Sequence, residues 1–384
     1  MTEGAMTLMV AGMVAGTPHQ AGASWSVLQW VLGLRELGHE VVLVEEIAPN
    51  AVVPAGASLD RSQNARYFLD LAGRFGIDRS SCLLVTGTTQ AVGMSYDSLV
   101  EAAHRTDCLL NISGTLKDER VLECIPVKAY VDIDPGFTQL WDLQGHDLGL
   151  GRHSKFMTVG LSIGAPGCRV PTGGREWITT LPPVTLSHWP AVGEPPLWPF
   201  TTVVNWRGYG SIEHEGVLYG HKAHSFRDLF ALPGLSGEDF VVACGIDPGE
   251  TGDLEALSLH RWELVNPIEA AGTADSYRRF VGSSLAELNV AKSGYVRSRC
   301  GWFSDRSACY LASGRPVVAQ DTGFGQALPV GEGFLTFSTV EEAAAAVLEV
   351  KESYPRHCKV ARLFAEELLD SGEVLGRVLE EVLR

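Results

Sequence analysis

The chain has 384 residues, of which 45% are hydrophobic and 20% charged, and a formal net charge of −16. That length exceeds one ordinary hydrophobic core, so two domains are expected, and the composition excludes a disordered or collagen-like chain. A field of this sign repels polyanions, so nucleic acid is not expected as a main partner, whereas one bound nucleotide is compatible with it.

The eight cysteines (82, 108, 124, 168, 244, 300, 309, 358) are scattered, with no C-x-x-C pair and no histidine cluster beside them. They read as reduced thiols of a cytoplasmic protein. The opening AMTLMVAGMVAG (5–16) follows Glu3 and no basic residue, is too short to span a bilayer, and reads as a first strand over 6–15. No other run reaches membrane-spanning length.

TPHQAGAS (17–24) follows as a small-residue loop, then WSVLQWVLGLRELGHEVVLVEE (25–46), where Trp25, Leu28, Leu32 and Leu34 to Leu37 give a helical face. The Gly38-His39 break and the VVLV run complete a β-α-β unit, whose first loop is the usual ligand position in an open α/β sheet. Strand-like runs recur at 82–87, 107–113, 127–134 and 155–164, with helical stretches at 64–76 and 96–106 between them. Such alternation implies a parallel sheet.

HWPAVGEPPLWPF (188–200) carries Pro190, Pro195, Pro196 and Pro199 and cannot run as regular helix or central strand. It divides the chain into expected domains 1–190 and 191–384. Alternation then restarts with TTVVNW (201–206), a helix around HSFRDLFAL, DFVVACGI (239–246), a helix over 252–260, WELVN, SYRRFVGSS and AELNVA. SDRSACYLASGRPVVAQDTGF (304–324) supplies another helix and strand, with Ser304 or Asp305 as N-cap and Gly314 as the residue after the helix. A helix start of this kind attracts anions. Two further helices close the chain.

GWFSDRSACYLASGRPVVAQDTGF (301–324) and LPVGEGFLTFSTVEEAAAAV (328–347) resemble the donor-binding half of GT-B glycosyltransferases, in particular their glycogen-synthase-like branch. AGASWSVLQWVLGLRELGHEVVLV (21–44) resembles the first β-α-β of the same fold. The resemblance implies two Rossmann-like domains facing a central cleft, with an N-terminal acceptor domain and a C-terminal nucleotide-sugar domain. It also implies a final helix that packs back on the first domain. The expected activity is transfer of a sugar from a nucleoside-diphosphate sugar to a small-molecule or glycan acceptor. No cofactor beyond that co-substrate and no metal is implied. One departure stands out: the retaining branch carries two glutamates eight positions apart, and Gly301 and Cys309 occupy those places here.

For the donor, the resemblance implies a diphosphate held at Ser304, Asp305, Arg306 and Ser307, where backbone N–H groups, hydroxyls and a guanidinium stabilise a leaving phosphate. Lys292 after the AELNVA strand, Arg207 after the first strand of the second domain, and Lys222 before its first helix are its expected basic partners. SIEHEGVLYGH (211–221) between Arg207 and Lys222 reads as an inserted hairpin. Asp321, Thr322 and Gly323 end the PVVA strand, where donor sugar hydroxyls are expected; a plain Asx turn is the alternative. The loop at 263–266 is the expected place of the base.

For the acceptor side, His19 lies in the first strand-to-helix loop, and an imidazole can take a proton from an acceptor hydroxyl. Gly22 and Ala23 allow close backbone approach to a ligand. Asp134, at the end of the VDID strand, is expected as a partner to His19 or as an acceptor-side base. The Gly/Pro-rich segment 164–177 reads as an acceptor loop. Other readings are a non-catalytic nucleotide-sugar or carbohydrate binder, and a sugar-nucleotide epimerase of the same fold. An NAD-type dehydrogenase is disfavoured because GMVAGTPHQAGAS (12–24) lacks G-x-G-x-x-G.

Overall fold

The computed structural model describes residues 4–193 and 196–384, so Pro195 of the proline-rich segment lies outside the described residues. Its strands are β1 (Thr7–Ala11), β2 (Glu40–Ile47), β3 (Ser81–Val85), β4 (Ala91–Gly93), β5 (Cys108–Ile112), β6 (Val127–Asp132), β7 (Lys155–Thr158) and β8 (Ile178–Thr179) in the first lobe. The second lobe holds β9 (Trp198–Asn205), β10 (Ile212–His214), β11 (Val217–Tyr219), β12 (Phe240–Gly245), β13 (Glu263–Val265), β14 (Ser284–Asn289), β15 (Val317–Gln320) and β16 (Phe334–Phe337). Contrary to the expectation for 188–200, the interior strand β9 begins inside the proline-rich segment, with Pro199 at its second position, near the strand start where a missing N–H is tolerated.

The first sheet runs β4-β3-β2-β1-β5-β6-β7-β8 and the second β13-β12-β9-β14-β15-β16. All pairings are parallel except β3 with β4, and the hairpin β10-β11 stands apart from both sheets. The second order is the doubly wound Rossmann pattern, in which the chain leaves its first strand in both directions and opens a crevice beside it. That crevice lies between the C-terminal ends of β9 and β14; its counterpart in the first lobe lies between β1 and β5.

The central strands are buried on both faces and read as continuous apolar runs. β5 (CLLNI) and β12 (FVVACG) are buried almost throughout. Ser62 caps the Gln63–Arg74 helix through the Ala65 N–H, and its Ala65, Phe68, Leu71 and Ala72 face is buried. The small elements β4, β8 and the short helices at Glu119–Glu123 and Phe137–Leu143 are too short to leave a periodic signal in sequence.

The helix Ala21–Glu36 joins the lobes. Its Trp25 indole donates to the Ala274 carbonyl at 3.0 Å, and the last helix, Ser371–Leu383, returns to lie against it. The fit is close: a Cβ on Gly33 would stand 2.6 Å from Leu375 and from Ser371. At a second place backbone bonds join the lobes. Leu161 and Ser162 donate to the carbonyls of Gly301 and Cys300 at 3.1 and 3.0 Å, and Arg169 donates to the Ser298 carbonyl at 2.8 Å. The segment 164–177 is thus anchored at one point to the second lobe.

Candidate active site

Lys222 opens the helix Lys222–Arg227, which follows the β10-β11 insertion. The Ala223 N–H bonds the Trp206 carbonyl, so this helix start sits at the C-terminal end of β9, in the second-lobe crevice. Among the described residues, nothing bonds or pairs with the Lys222 ammonium. Burial, and then the nearby Arg306 guanidinium, push it down to about 7; Glu287 and Asp305 act in the other direction. A half-buried ammonium at a strand-end crevice, with carboxylates nearby but none bonded to it among the described residues, has room to meet an anion from outside.

The four residues at the neighbouring helix start divide by role. Ser304 caps the Asp305–Ala312 helix through the Arg306 N–H at 3.2 Å and is almost fully buried. Asp305 is half-buried beside Gly22, Gln29 and Tyr277, and burial raises its carboxyl above the ordinary range. Arg306 turns inward, contrary to its expected place on a diphosphate. Its guanidinium bonds Glu287 at 2.5 Å, the Val203 carbonyl at 2.7 Å and Asn289 at 3.1 Å. Ser307 follows it, donating to Glu287 at 2.5 Å and accepting from Asn289 at 2.7 Å. The reason is β14: Glu287 has no access to solvent and requires both groups. Of the expected phosphate ligands, Arg306 and Ser307 are thus taken up by Glu287, while Lys222 has no hydrogen-bond or ion-pair partner among the described residues.

Arg207 stands at the outer rim and pairs with Glu250. Lys292 faces the other way, into a cross-lobe cluster. Its ammonium lies 3.0 and 3.1 Å from the two carboxylate oxygens of Asp134, and 4.0 to 5.1 Å from the ring centroids of Tyr209, Phe137 and Tyr295. The Tyr209 and Tyr295 hydroxyls donate to the same carboxylate, and Tyr209 also meets Lys292. Burial raises the Asp134 carboxyl well above its usual range and drives Lys292 down to about 7. The expected partnership of Asp134 with His19 is not what the fold builds: Asp134 is bound by second-lobe groups, while His19 packs edge-on against Tyr67.

His19 itself adopts the left-handed backbone (φ +67°) and is exposed at the lobe junction. Its loop is held from below by Glu45, which accepts the Ala15 and Gly16 N–H groups at 2.6 and 2.7 Å. Burial raises Glu45 to about 7 against those hydrogen bonds. Gly22 abuts the second lobe, where a Cβ would stand 3.2 Å from the Tyr277 ring, and the Ala23 N–H closes the first helical turn on the Gln20 carbonyl.

Asp321, Thr322 and Gly323 form the turn that was the alternative reading. Asp321 accepts the Gly323 N–H at 2.8 Å, and the buried Thr322 hydroxyl donates to the Trp302 carbonyl at 2.8 Å. The Gly323 carbonyl accepts from Ser162 of the first lobe at 3.1 Å. The two positions of the absent glutamates are filled as well. Gly301 has φ +75°, and a Cβ there would lie 2.6 Å from the Ser162 backbone nitrogen. Cys309 is buried, with Gln29 of the first lobe directing its side-chain amide at the sulfur from 3.8 Å.

Glu287, Asn289, Tyr209 and Tyr295 were not visible as site residues in the sequence. Glu287 alone carries a signal, as an acidic residue inside an apolar strand. Among the described residues no group of three or more His, Cys, Asp or Glu is placed to hold a metal ion, and no helix is long and apolar enough to cross a membrane.

Two Rossmann-like lobes facing across this junction define the GT-B fold, the architecture of many nucleotide-sugar glycosyltransferases. Solved structures of that fold match nearly end to end. An α-glucosyltransferase in complex with UDP superposes with a TM-score of 0.62 at 12% identity, spanning 99% of this chain and 100% of that one. The same kind of enzyme, solved with UDP and a 13-mer DNA, gives the same values. HepE of Anabaena with UDP and glucose gives 0.59 at 12% identity over 98% and 99% of the two chains. Sucrose-phosphate synthase of Thermosynechococcus elongatus gives 0.55 at 10% over 98% and 99%. No protein-family model and no curated protein matches the sequence.

Proposed function

We propose that the chain is a glycosyltransferase that moves a sugar from a nucleoside-diphosphate sugar to an acceptor hydroxyl held by the first lobe, without a bound metal. The observation that carries this reading is Lys222, an ammonium with no bonded partner among the described residues, beyond the end of β9 and near Asp305 and Arg306 at the start of the Asp305–Ala312 helix. Negative charge that builds on a departing diphosphate would be met there by the ammonium and by helix N–H groups. The similar structures solved with UDP make UDP the nucleotide to try first. On the acceptor side, His19 is the group free to take the hydroxyl proton. With Gly301 and Cys309 filled by the first lobe, the reaction draws on neither of the retaining branch's carboxylates.

The test is a thermal-shift panel of nucleoside diphosphates, followed by mass-spectrometric product detection with the stabilising sugar nucleotide and with chelator present. Stabilisation by one nucleotide and chelator-insensitive turnover are expected. No stabilisation by any nucleotide would sink the donor site, and turnover abolished by chelator would sink metal independence. The filled glutamate positions favour one second reading, a non-catalytic nucleotide-sugar binder, which would show stabilisation with no product and no released nucleotide.

A further inference from the structure

A cavity of about 490 Å³ opens between the lobes, away from Lys222. One wall is a single face of the Gln63–Arg74 helix: Gln63, Arg66, Tyr67, Asp70 and Arg74 recur at three- and four-residue spacing and line it. Opposite stand Thr273 and Asp275 at the start of the Ala274–Gly282 helix, and His19 completes the lining from the first loop. Leu71, Ala274 and the Tyr67 ring give the lining apolar surface among its charged and polar groups, which suits an occupant with both polar groups and an apolar face, as a sugar ring has.

The charges are not equivalent. Arg74 is neutralised across the junction by Asp275, which Arg278 also approaches at 3.7 Å. Arg66 and Asp70 form no ion pair among the described residues, although they are one helical turn apart. The cavity therefore offers an uncommitted guanidinium, an uncommitted carboxylate, an imidazole and an amide. A planar guanidinium fork suits a carboxylate or phosphate, and an acceptor-only carboxylate suits hydroxyls. In a chain of net charge −16, anion recognition has to be built locally.

We infer that this cavity binds a hydroxyl-rich small molecule bearing one anionic group, phosphate or carboxylate, with Arg66 on the anion and Asp70 and Gln63 on the hydroxyls. Its role as the acceptor site rests on the glycosyltransferase reading, and His19 at its edge is the group that would face the reacting hydroxyl.

Arg66 is exposed, so Arg66→Ala is expected to fold. Calorimetric titrations with glucose 6-phosphate, glucuronate and glucose, each with and without UDP, read the site. One of the two acids should bind and glucose should bind about ten-fold more weakly or worse; which acid wins separates phosphate from carboxylate recognition. Arg66→Ala should cost about ten-fold or more in acid binding, Arg66→Lys should recover part of it, and UDP binding should be unchanged in both. The inference is overturned if no probe binds, if glucose binds as tightly as both acids, if Arg66→Ala binds the acid normally, or if UDP displaces the acid. Failure of the donor reading looks different: no UDP binding, or UDP binding indifferent to Lys222→Ala, while acid binding still depends on Arg66. That result removes the acceptor role and keeps the anion site.

Discussion

Lys222 gives the sharpest test of the donor site. In the empty protein its pKa is held at about 7, against 10.5 for an ordinary lysine. A diphosphate in contact would return it toward the ordinary value. One pKa unit is worth about 1.4 kcal/mol, so complete recovery corresponds to about 5 kcal/mol and recovery of half the gap to about 2.5. The sign follows from proton counting. Between pH 7 and 10.5 the empty native state binds fewer protons than the unfolded chain, so this group opposes folding below pH 7 and ceases to do so as pH rises. Ligand binding above pH 7 must therefore take up a proton, and UDP affinity should fall by up to about ten-fold per pH unit from there. Titration calorimetry at pH 6.5 to 8.5, in two buffers of different ionisation enthalpy, counts that proton. Lys222→Met should raise the Tm of the empty protein by removing a half-buried charge that no carboxylate bonds among the described residues, while weakening UDP binding by about thirty-fold or more. Normal UDP binding by Lys222→Met, or pH-independent affinity without proton uptake, would refute the reasoning.

Glu287→Gln removes the counter-charge of buried Arg306 and should cost about 3–5 kcal/mol in chemical denaturation, part of which Arg306→Met in the same chain should restore. Gly301→Ala forces a Cβ against the Ser162 nitrogen at positive φ; a loss of about 1–3 kcal/mol is expected, and unchanged stability would mean that the lobes are not packed there. Glu45 has its pKa raised from 4.5 to about 7, so its contribution to stability is full below pH 4.5 and is lost as pH rises through 7. Denaturation of wild type against Glu45→Gln should show that difference as about 3 kcal/mol across the range, and parallel pH profiles would exclude it.

Much of the fold was legible because its determinants are local. Apolar runs at β1, β2, β5, β12 and β14, the Ser304 cap and the SIEHEGVLYGH hairpin each act within a few residues of themselves. The alternation of strand and helix carried the parallel sheets with it, and the small-residue loop after β1 marked a lobe-junction position. The short strands and helices were missed because two to seven residues give no period to read.

The site was legible only as a set of candidates. The sequence by itself determined that basic and hydroxyl residues gather at the ends of second-lobe strands, because strand ends and helix starts are local features. Which of those charges remain available was decided by tertiary structure alone. Arg306 is consumed because parallel pairing seats Glu287 of β14 beneath its helix, and Lys292 because Asp134, 158 residues away in sequence, meets it across the lobes. Lys222 stays unbonded because, among the described residues, no carboxylate is brought within bonding distance of it. Charge pairing over such separations depends on which elements become neighbours, and a buried charge binds whatever counter-charge the fold places beside it.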